Sequence, residues 1–570
     1  MKLKILAFAF ALTLATNLVA QTFTTLHSFV GYPIDGANPE ASLILAGSTL
    51  YGTAGSGTYG YGTVFAINTN GTGFTNVYSF TALNNNTNSD GAYPTARLML
   101  LGNTLYGTAQ GGGSLGHGTI FAVNINGTSF KNLHSFTNGI DGAGPWAGLI
   151  SLGSTLYGTA EYGGNSGNGT VFRVNTDGSS FTSLHSFTAL INSTIGLTNG
   201  DGAWPTAELA LSGNMLYGTT FQGGTSVFGT VFEINTNGSS FKNLHSFNGN
   251  DGALPYYGLV LSGNALFGTT TDGGSAGRGT VFKMNIDGSG FTNLYSFTAA
   301  SYPLFTNSDG AFPEAGLILS GNTLYGTAYN GGSSGNGTVF KLNTDGSGFV
   351  NLHTFTVTSG SNLTNSDGAN PWAGLIISGN MLFGTTSKGG IAGAGTVFSL
   401  SLAPSAPTIT TQPQSQTAQV GNSVNFAVTA SEYPSPNYQW QLNGQNIPNA
   451  TNVTLTLNSV TAANSGGYTV VVSNPYGSVT SATASLAVLD DGANGNTPAP
   501  ITATPIPSKP SGAKNLVFIT HGWEPEGPLA DISWINDMSN AIQDKVSSDW
   551  QVVGYSWIET SEKGCLSCLF

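Results

Sequence analysis

Seven copies of the phrase Asp-Gly-Ala-x-Pro recur along this chain, at Asp35, Asp90, Asp141, Asp201, Asp251, Asp309 and Asp367. A carboxylate placed before glycine and proline has a structural task first. It accepts N–H bonds from its own turn while the glycine takes a positive φ. Oxygen donors repeated on one face also suit a hard cation, which makes Asp90, Asp201, Asp309 and Asp367 the candidates for Ca²⁺. A residue present in every copy usually serves the copy itself, so no cofactor is expected. Aromatic residues stand beside these prolines in every copy except the first: Tyr93, Trp146, Trp204, Tyr256, Phe312 and Trp372. Flat rings among neutral hydrogen-bonding groups suit the apolar faces and hydroxyls of sugars. These six are the candidate ligand-binding residues. The competing expectation is that the rings pack on the prolines and seal the turns.

Other reactive side chains point to less. Five of the seven histidines (His27, His134, His185, His245, His353) occupy one place in a repeated segment that carries Tyr78 and Tyr295 in the other two copies. A metal ligand would not exchange freely with tyrosine, so packing or hydrogen bonding is expected. Gly-x-Ser-x-Gly occurs at Gly112–Gly116, Gly273–Gly277 and Gly331–Gly335, but in glycine-rich turns with no helix to follow, where a nucleophile elbow needs one. Cys565 and Cys568 are the two cysteines of the chain. They exclude a disulfide framework, and a bare C-x-x-C is weak evidence for metal or redox chemistry.

The elements that must position these residues follow from the repetition. Gly-Thr-Val/Ile-Phe begins at Gly62, Gly118, Gly169, Gly229, Gly279, Gly337 and Gly395, each time preceded by Leu-Tyr/Phe-Gly-Thr from Leu50 to Leu382. In the sixth copy, Ala315–Leu319, Thr323–Ala328, Gly337–Asn343 and Phe349–Phe355 read as four antiparallel strands separated by turn residues. Four short strands per unit of this length predict a β-propeller blade. A lone fourth strand (Phe23–Phe29) opens the array and a lone third strand (Gly395–Leu402) ends it. Their pairing would close a seven-bladed ring without a free edge; an open β-solenoid is the alternative.

Composition agrees. The chain has 570 residues, of which 81 are glycine and only 7% are charged. That excludes helical enzymes and coiled coils and suits sheets buried on both faces. Fourteen basic against 27 acidic residues, net −13, leave no basic stripe for nucleic acid. Residues 1–20 read as a secretory signal peptide, and no later run reaches the roughly 20 apolar residues of a membrane span.

The repeated phrases resemble the GloVer repeat, named for Gloeobacter and Verrucomicrobia, over 21–402. That resemblance implies an exported or surface-attached protein and no defined activity. After a proline-marked start, 403–489 resembles an immunoglobulin domain, with Trp440 as core tryptophan and Tyr468 as corner tyrosine. Val428 and Val470 then stand where such domains often carry a disulfide. Residues 490–512 are a Pro/Gly-rich linker. Residues 513–570 resemble the truncated start of a lipase-like α/β-hydrolase: strand Asn515–Thr520, His521-Gly522 as the beginning of an oxyanion loop, helix Ser533–Val546 and strand Trp550–Trp557. The family's Gly-x-Ser-x-Gly elbow, acid and catalytic histidine do not follow, so catalytic residues are absent as the chain stands.

The expected fold is therefore all-β, a seven-bladed propeller plus an immunoglobulin-like sandwich, with a short incomplete α/β segment. Two functions compete: a secreted or cell-surface, monomeric, non-catalytic adhesion protein whose partner is an extracellular polysaccharide or a surface protein, and a fragment of a secreted serine esterase.

Overall fold

The computed structural model describes residues 21–57, 59–194, 196–402, 406–431, 436–474, 476–489, 515–519 and 550–554. The expectations for the signal peptide, the 490–512 linker, His521, Gly522, the 533–546 helix and the two cysteines lie outside these residues. The chain divides into two compact units, 1–491 and 492–570.

In the first unit, the described residues form seven four-stranded antiparallel sheets. Sheet 1 is Ile44–Ala46, Thr49–Ala54, Thr63–Asn68 and Thr75–Ser79. Sheets 2 to 6 repeat this order over 99–135, 150–186, 210–246, 260–296 and 318–354. Sheet 7 takes three strands, Ile376–Ser378, Met381–Thr386 and Thr396–Ser401, from the end of the array and its fourth, Phe23–Ser28, from the beginning. Phe23 faces Leu400 and Ser28 faces Thr396 in an antiparallel register, so the two lone strands pair as their sequence suggests. First strands are shorter than expected. In sheet 6 only Ile318–Ser320 pairs, and Leu317 packs between sheets instead. The longest fourth-to-first loop holds an unforeseen hairpin, Ile191–Ser193 with Gly196–Thr198.

The repeated phrases are explained by contacts between neighbouring sheets. A Cβ on Gly52 would stand 2.5 Å from the Phe65 ring, so the glycine of Leu-Tyr-Gly-Thr makes room for the phenylalanine of Gly-Thr-Val-Phe. The glycine of Gly-Thr-Val-Phe makes room for the next repeat's proline. Gly395 has φ +101°, and a Cβ there would lie 2.6 Å from Pro39 Cδ. The residue before each proline adopts a left-handed backbone, as at Asn38, Tyr93, Trp204 and Phe312. Its N–H donates across to the previous repeat, from Tyr93 to the Tyr61 carbonyl at 2.8 Å and from Asn38 to the Ala394 carbonyl at 3.0 Å. The threonine hydroxyls of the second strands do the same: Thr53 donates to the Ala96 carbonyl and Thr385 to the Ala41 carbonyl, each at 3.2 Å.

Aromatic stacking follows the same order. A phenylalanine at the start of each fourth strand lies flat on the histidine or tyrosine of the preceding sheet. The pairs are His27–Phe74, Tyr78–Phe130, His134–Phe181, His185–Phe241, His245–Phe291, Tyr295–Phe349 and His353–Phe23, with centroids 3.7–4.0 Å apart. Each pair adds about 0.5–1.5 kcal/mol beyond area burial. Between sheets 7 and 1, Phe383 and Val397 share an apolar cluster with Leu43, Leu50, Phe65 and Ile67. The contacts thus run from sheet 1 to sheet 7 and from sheet 7 back to sheet 1. Second and third strands are buried nearly throughout, which is why so few positions tolerate a charge.

Residues 406–489 fold as an immunoglobulin-like pair of sheets. Gln416–Gln419 runs parallel to Ala484–Leu489, which is joined to Gly466–Asn474, Asn437–Leu442 and Gln445–Asn446; Val424–Ala427 pairs with Thr454–Leu457. Trp440 is fully buried, its indole N–H donating to the Asn452 carbonyl at 2.9 Å. The Tyr468 hydroxyl donates to the Asn464 carbonyl at 2.8 Å, four residues upstream, making the expected corner. Val428 and Val470 are buried in the same core. In the second unit, Asn515–Ile519 pairs in parallel with Trp550–Gly554. No helix among the described residues is long and apolar enough to cross a membrane.

Candidate functional site

The proline turns bring two different sets of residues to the same side of the sheets as the glycine-rich second-to-third loops. Ala92 bridges to Gly111, and equivalent bridges recur through Ala369 and Lys388. The six candidate aromatics divide between these sets. Tyr93, Trp204 and Phe312 precede their prolines, at the left-handed position. They do not line the cavity described below, although their sequence placement puts all six rings near one channel. Tyr93 leans on Tyr61 of the previous repeat, 5.9 Å between centroids, and Phe312 lies under the Arg278 guanidinium at 5.2 Å. These rings cover the joint between repeats. The bound backbone N–H of the position fixes them there.

Trp146, Tyr256 and Trp372 follow their prolines and come from repeats 3, 5 and 7. Tyr256 meets Trp146 at 6.4 Å and Trp372 at 6.1 Å, in near-perpendicular edge contacts. Side chains from non-adjacent repeats touch because the cycle of sheets brings their inner ends together. With Glu40, Thr95 and Thr206, the equivalent residues of repeats 1, 2 and 4, they line a cavity of about 230 Å³. All three rings are half-buried. They are neither a sealed plug nor a flat exposed platform.

Two residues further on, a second layer narrows the space. Its members are Ser42, Arg97, Gly148, Glu208, Gly258, Gly316 and Gly374. A Cβ on Gly374 would come within 2.9 Å of the Gly316 carbonyl and the Ser42 hydroxyl, and one on Gly258 within 2.7 Å of the Glu208 carbonyl. Arg97 Nη1 donates to Glu208 Oε1 at 2.9 Å, from repeat 2 to repeat 4. This layer forms the floor.

The electrostatics around the rings are acidic. Burial raises the Glu40 carboxyl above its ordinary range, with Lys388 opposing. Burial, then Asp272 and Glu40, push Glu314 up to about 7. Burial also raises Glu161, against hydrogen bonds from Tyr162 and Trp146. Sequence reasoning passed over Glu40 and Glu314. The signal was available, because they fill the place in the repeat that holds tryptophan or tyrosine in repeats 3, 5 and 7.

The repeated aspartates lie elsewhere, on the outer strands. His134 Nε2 donates to Asp141 at 3.0 Å, and the Tyr78 hydroxyl donates to Asp90 at 2.9 Å. The same carboxylates accept local backbone N–H groups and, in most repeats, a threonine hydroxyl, as from Thr137 and Thr81. The carboxylates of Asp90, Asp201, Asp309 and Asp367 are occupied in this way. Among the described residues no group of three or more His, Cys, Asp or Glu gathers to hold a metal. Sequence reasoning placed the histidines and aspartates separately and missed that they are partners. It also missed Asn88, Asn199, Asn307 and Asn365, whose amides tie the aspartate turn to the glycine loop.

Comparison with known proteins agrees with the two-part reading. The family model of the Gloeobacter/Verrucomicrobia repeat matches 190–363 and 298–432, and that of an immunoglobulin domain matches 406–474. The chain is similar to both. Endoglucanase C of Cellulomonas fimi is 34% identical over 89 residues, which are 15% of this chain and 8% of that protein. The chain thus spans less than a tenth of the curated relative it matches. Among solved structures, the titin M4 domain is 25% identical and covers 15% of this chain and 100% of its own, with a TM-score of 0.15. The titin Z1Z2 domains in complex with telethonin are 32% identical, covering 16% of this chain and 51% of theirs, with a TM-score of 0.15.

Proposed function

We propose that the seven sheets are the blades of a closed β-propeller spanning 21–402. On this reading the chain is a secreted or cell-surface, monomeric, non-catalytic binding protein that takes extracellular glycan at the Trp146–Tyr256–Trp372 cluster. The observation that carries it is the meeting of three half-buried rings from alternate repeats above a cavity of about 230 Å³. That volume lies below the ~300 Å³ at which drug-sized pockets begin. It suits one sugar residue at a chain end better than a stretch of polymer laid across a platform. The immunoglobulin-like domain, 403–489, serves as a spacer, followed by a linker at 490–512.

Retardation of the protein in gels containing soluble polysaccharides tests this reading. Trp146→Ala and Trp372→Ala should each abolish retardation, while Trp204→Ala, at the joint between repeats, should keep it. Equal retardation of all three variants and the parent would count against the site.

A second reading, that 513–570 begins a serine esterase, draws on the parallel pairing of Asn515–Ile519 with Trp550–Gly554. Parallel neighbours need a crossover connection, and the 30 residues between these strands are long enough for one. As the chain stands, a fluorophosphonate probe should label no serine.

A further inference from the structure

Around the cycle, the residue after each proline runs Tyr256, Glu314, Trp372, Glu40 in four consecutive repeats. Two acids therefore flank one tryptophan on the side of the cavity where the aromatic edges meet. Glu314 Oε2 is buried and has no hydrogen-bond partner. A buried carboxylate oxygen in that state is costly unless something pairs with it.

The cations nearby are engaged elsewhere. Arg97 is bound to Glu208. Arg278 lies over Phe305 and Phe312 at 5.3 and 5.2 Å, on the Asp272 side. Lys388 lies over the Tyr329 ring, with Nζ 3.4 Å from its hydroxyl. The groups whose charge bears on Glu314 are both acidic, Asp272 and Glu40. Aromatic rings beside an unpaired acid form an environment for a ligand cation, since the ring faces and the carboxylate attract the same charge.

We propose that the cavity selects a sugar bearing a protonated amine, a terminal amino sugar, with Glu314 and Glu40 as its counter-charge and Trp372, Tyr256 and Trp146 as its walls. This rests on the glycan-binding reading above and adds the chemical class of the sugar. A bound ammonium supplies the partner that Glu314 lacks and offsets the repulsion among the acids. Charge-assisted hydrogen bonds of this kind are worth about tenfold or more in affinity.

The test is calorimetric titration of the full chain, in low-salt buffer slightly below neutral pH, with two oligosaccharides of the same linkage: an oligomer of glucosamine, which is cationic, and its fully N-acetylated form, which is neutral. The cationic oligomer should bind about tenfold more tightly. Glu314→Gln combined with Glu40→Gln should bring it down to the level of the neutral one, with an unchanged melting temperature. Trp372→Ala should weaken both. Equal binding of the two oligomers, or a preference that survives the double glutamine variant, would overturn the proposal and leave glycan binding standing. Binding of neither oligomer, with retention of other neutral polysaccharides, would overturn it in the same way. Loss of all polysaccharide binding would remove both readings together.

Discussion

The ring of Phe23 lies on the imidazole of His353, with centroids 3.9 Å apart and planes 12° from parallel. One belongs to the strand that completes sheet 7, the other to the outer strand of sheet 6, and 330 residues of chain separate them. The six other stackings of this kind join repeats that follow each other in sequence, whereas this one is made by a strand from the far end of the array. Phe23→Ala should therefore cost about 2–3 kcal/mol, at the low end for an aromatic truncation because the ring is only half-buried. A shift in the denaturant midpoint without a change in slope would show it.

Removal of 21–30 goes further, since it bares the hydrogen-bonding edge of Thr396–Ser401. Such an edge pairs with other chains. Aggregation of this variant is expected by light scattering, and an equal deletion within 490–512 should leave the protein soluble. Equal solubility of the two would favour an open array.

Acid should loosen the outer strands by a route that can be traced. Burial lowers the pKa of His27, His134 and His245 below the ordinary 6.5, against the pull of Asp35, Asp141 and Asp251. The unfolded chain then binds these protons more readily than the fold does, so stability from this source is complete above about pH 6.5 and declines as the pH falls below it. In Asp201 and Asp367 burial pushes the carboxyl up, but hydrogen bonds from His185 with Thr188 and from His353 with Thr356 outweigh it and hold both below 3.8. A second loss follows as the pH drops under about 4. The Tm should be level from about pH 8 to 7 and fall from there to pH 5. The triple variant His27→Tyr, His134→Tyr, His245→Tyr should flatten that limb, because tyrosine already makes the same bond at 78 and 295. An unchanged limb in the triple variant would refute the assignment.

Two glycine substitutions separate conformational from packing cost. Gly379 has φ +58° and open space around its missing Cβ, so Gly379→Ala should lose about 1 kcal/mol. Gly395→Ala meets both a φ of +101° and Pro39, and should lose several times more. Thermal melts of the pair give the comparison directly.

The turns, the strand order and the split seventh unit were legible in the sequence because each is written locally, in glycine, proline and a two-residue alternation repeated seven times. What joined one repeat to the next was harder to read. His134 and Asp141 are seven residues apart, but nothing in their spacing says that a loop folds one onto the other. The six aromatics also look alike in sequence, although one intervening proline and a left-handed backbone send Tyr93, Trp204 and Phe312 to the joints and Trp146, Tyr256 and Trp372 to the cavity. Residue type was visible there, and direction was set by the third dimension.

Trp372→Ala illustrates that difference. A half-buried ring that touches only Tyr256 and Tyr329 edge-on should cost about 1–2 kcal/mol on truncation, less than a core aromatic. A melting point lowered by only a few degrees, together with lost glycan retention, would mark it as a contact for ligand. A large drop would mark it as part of the packing.

The seventh sheet also sets a schedule. The N–H of Thr22 reaches the hydroxyl of Ser401 at 2.6 Å, a bond that spans 379 positions. Until the ribosome has made the last repeat, the strand at Phe23–Ser28 has no partner, and the six complete sheets are an unclosed stack with an exposed flank at each end. Joining contacts this distant in sequence is slow compared with forming each hairpin. The array can gain its sheets one after another as it is synthesised, but it becomes a closed body in a single final event that waits for its far end.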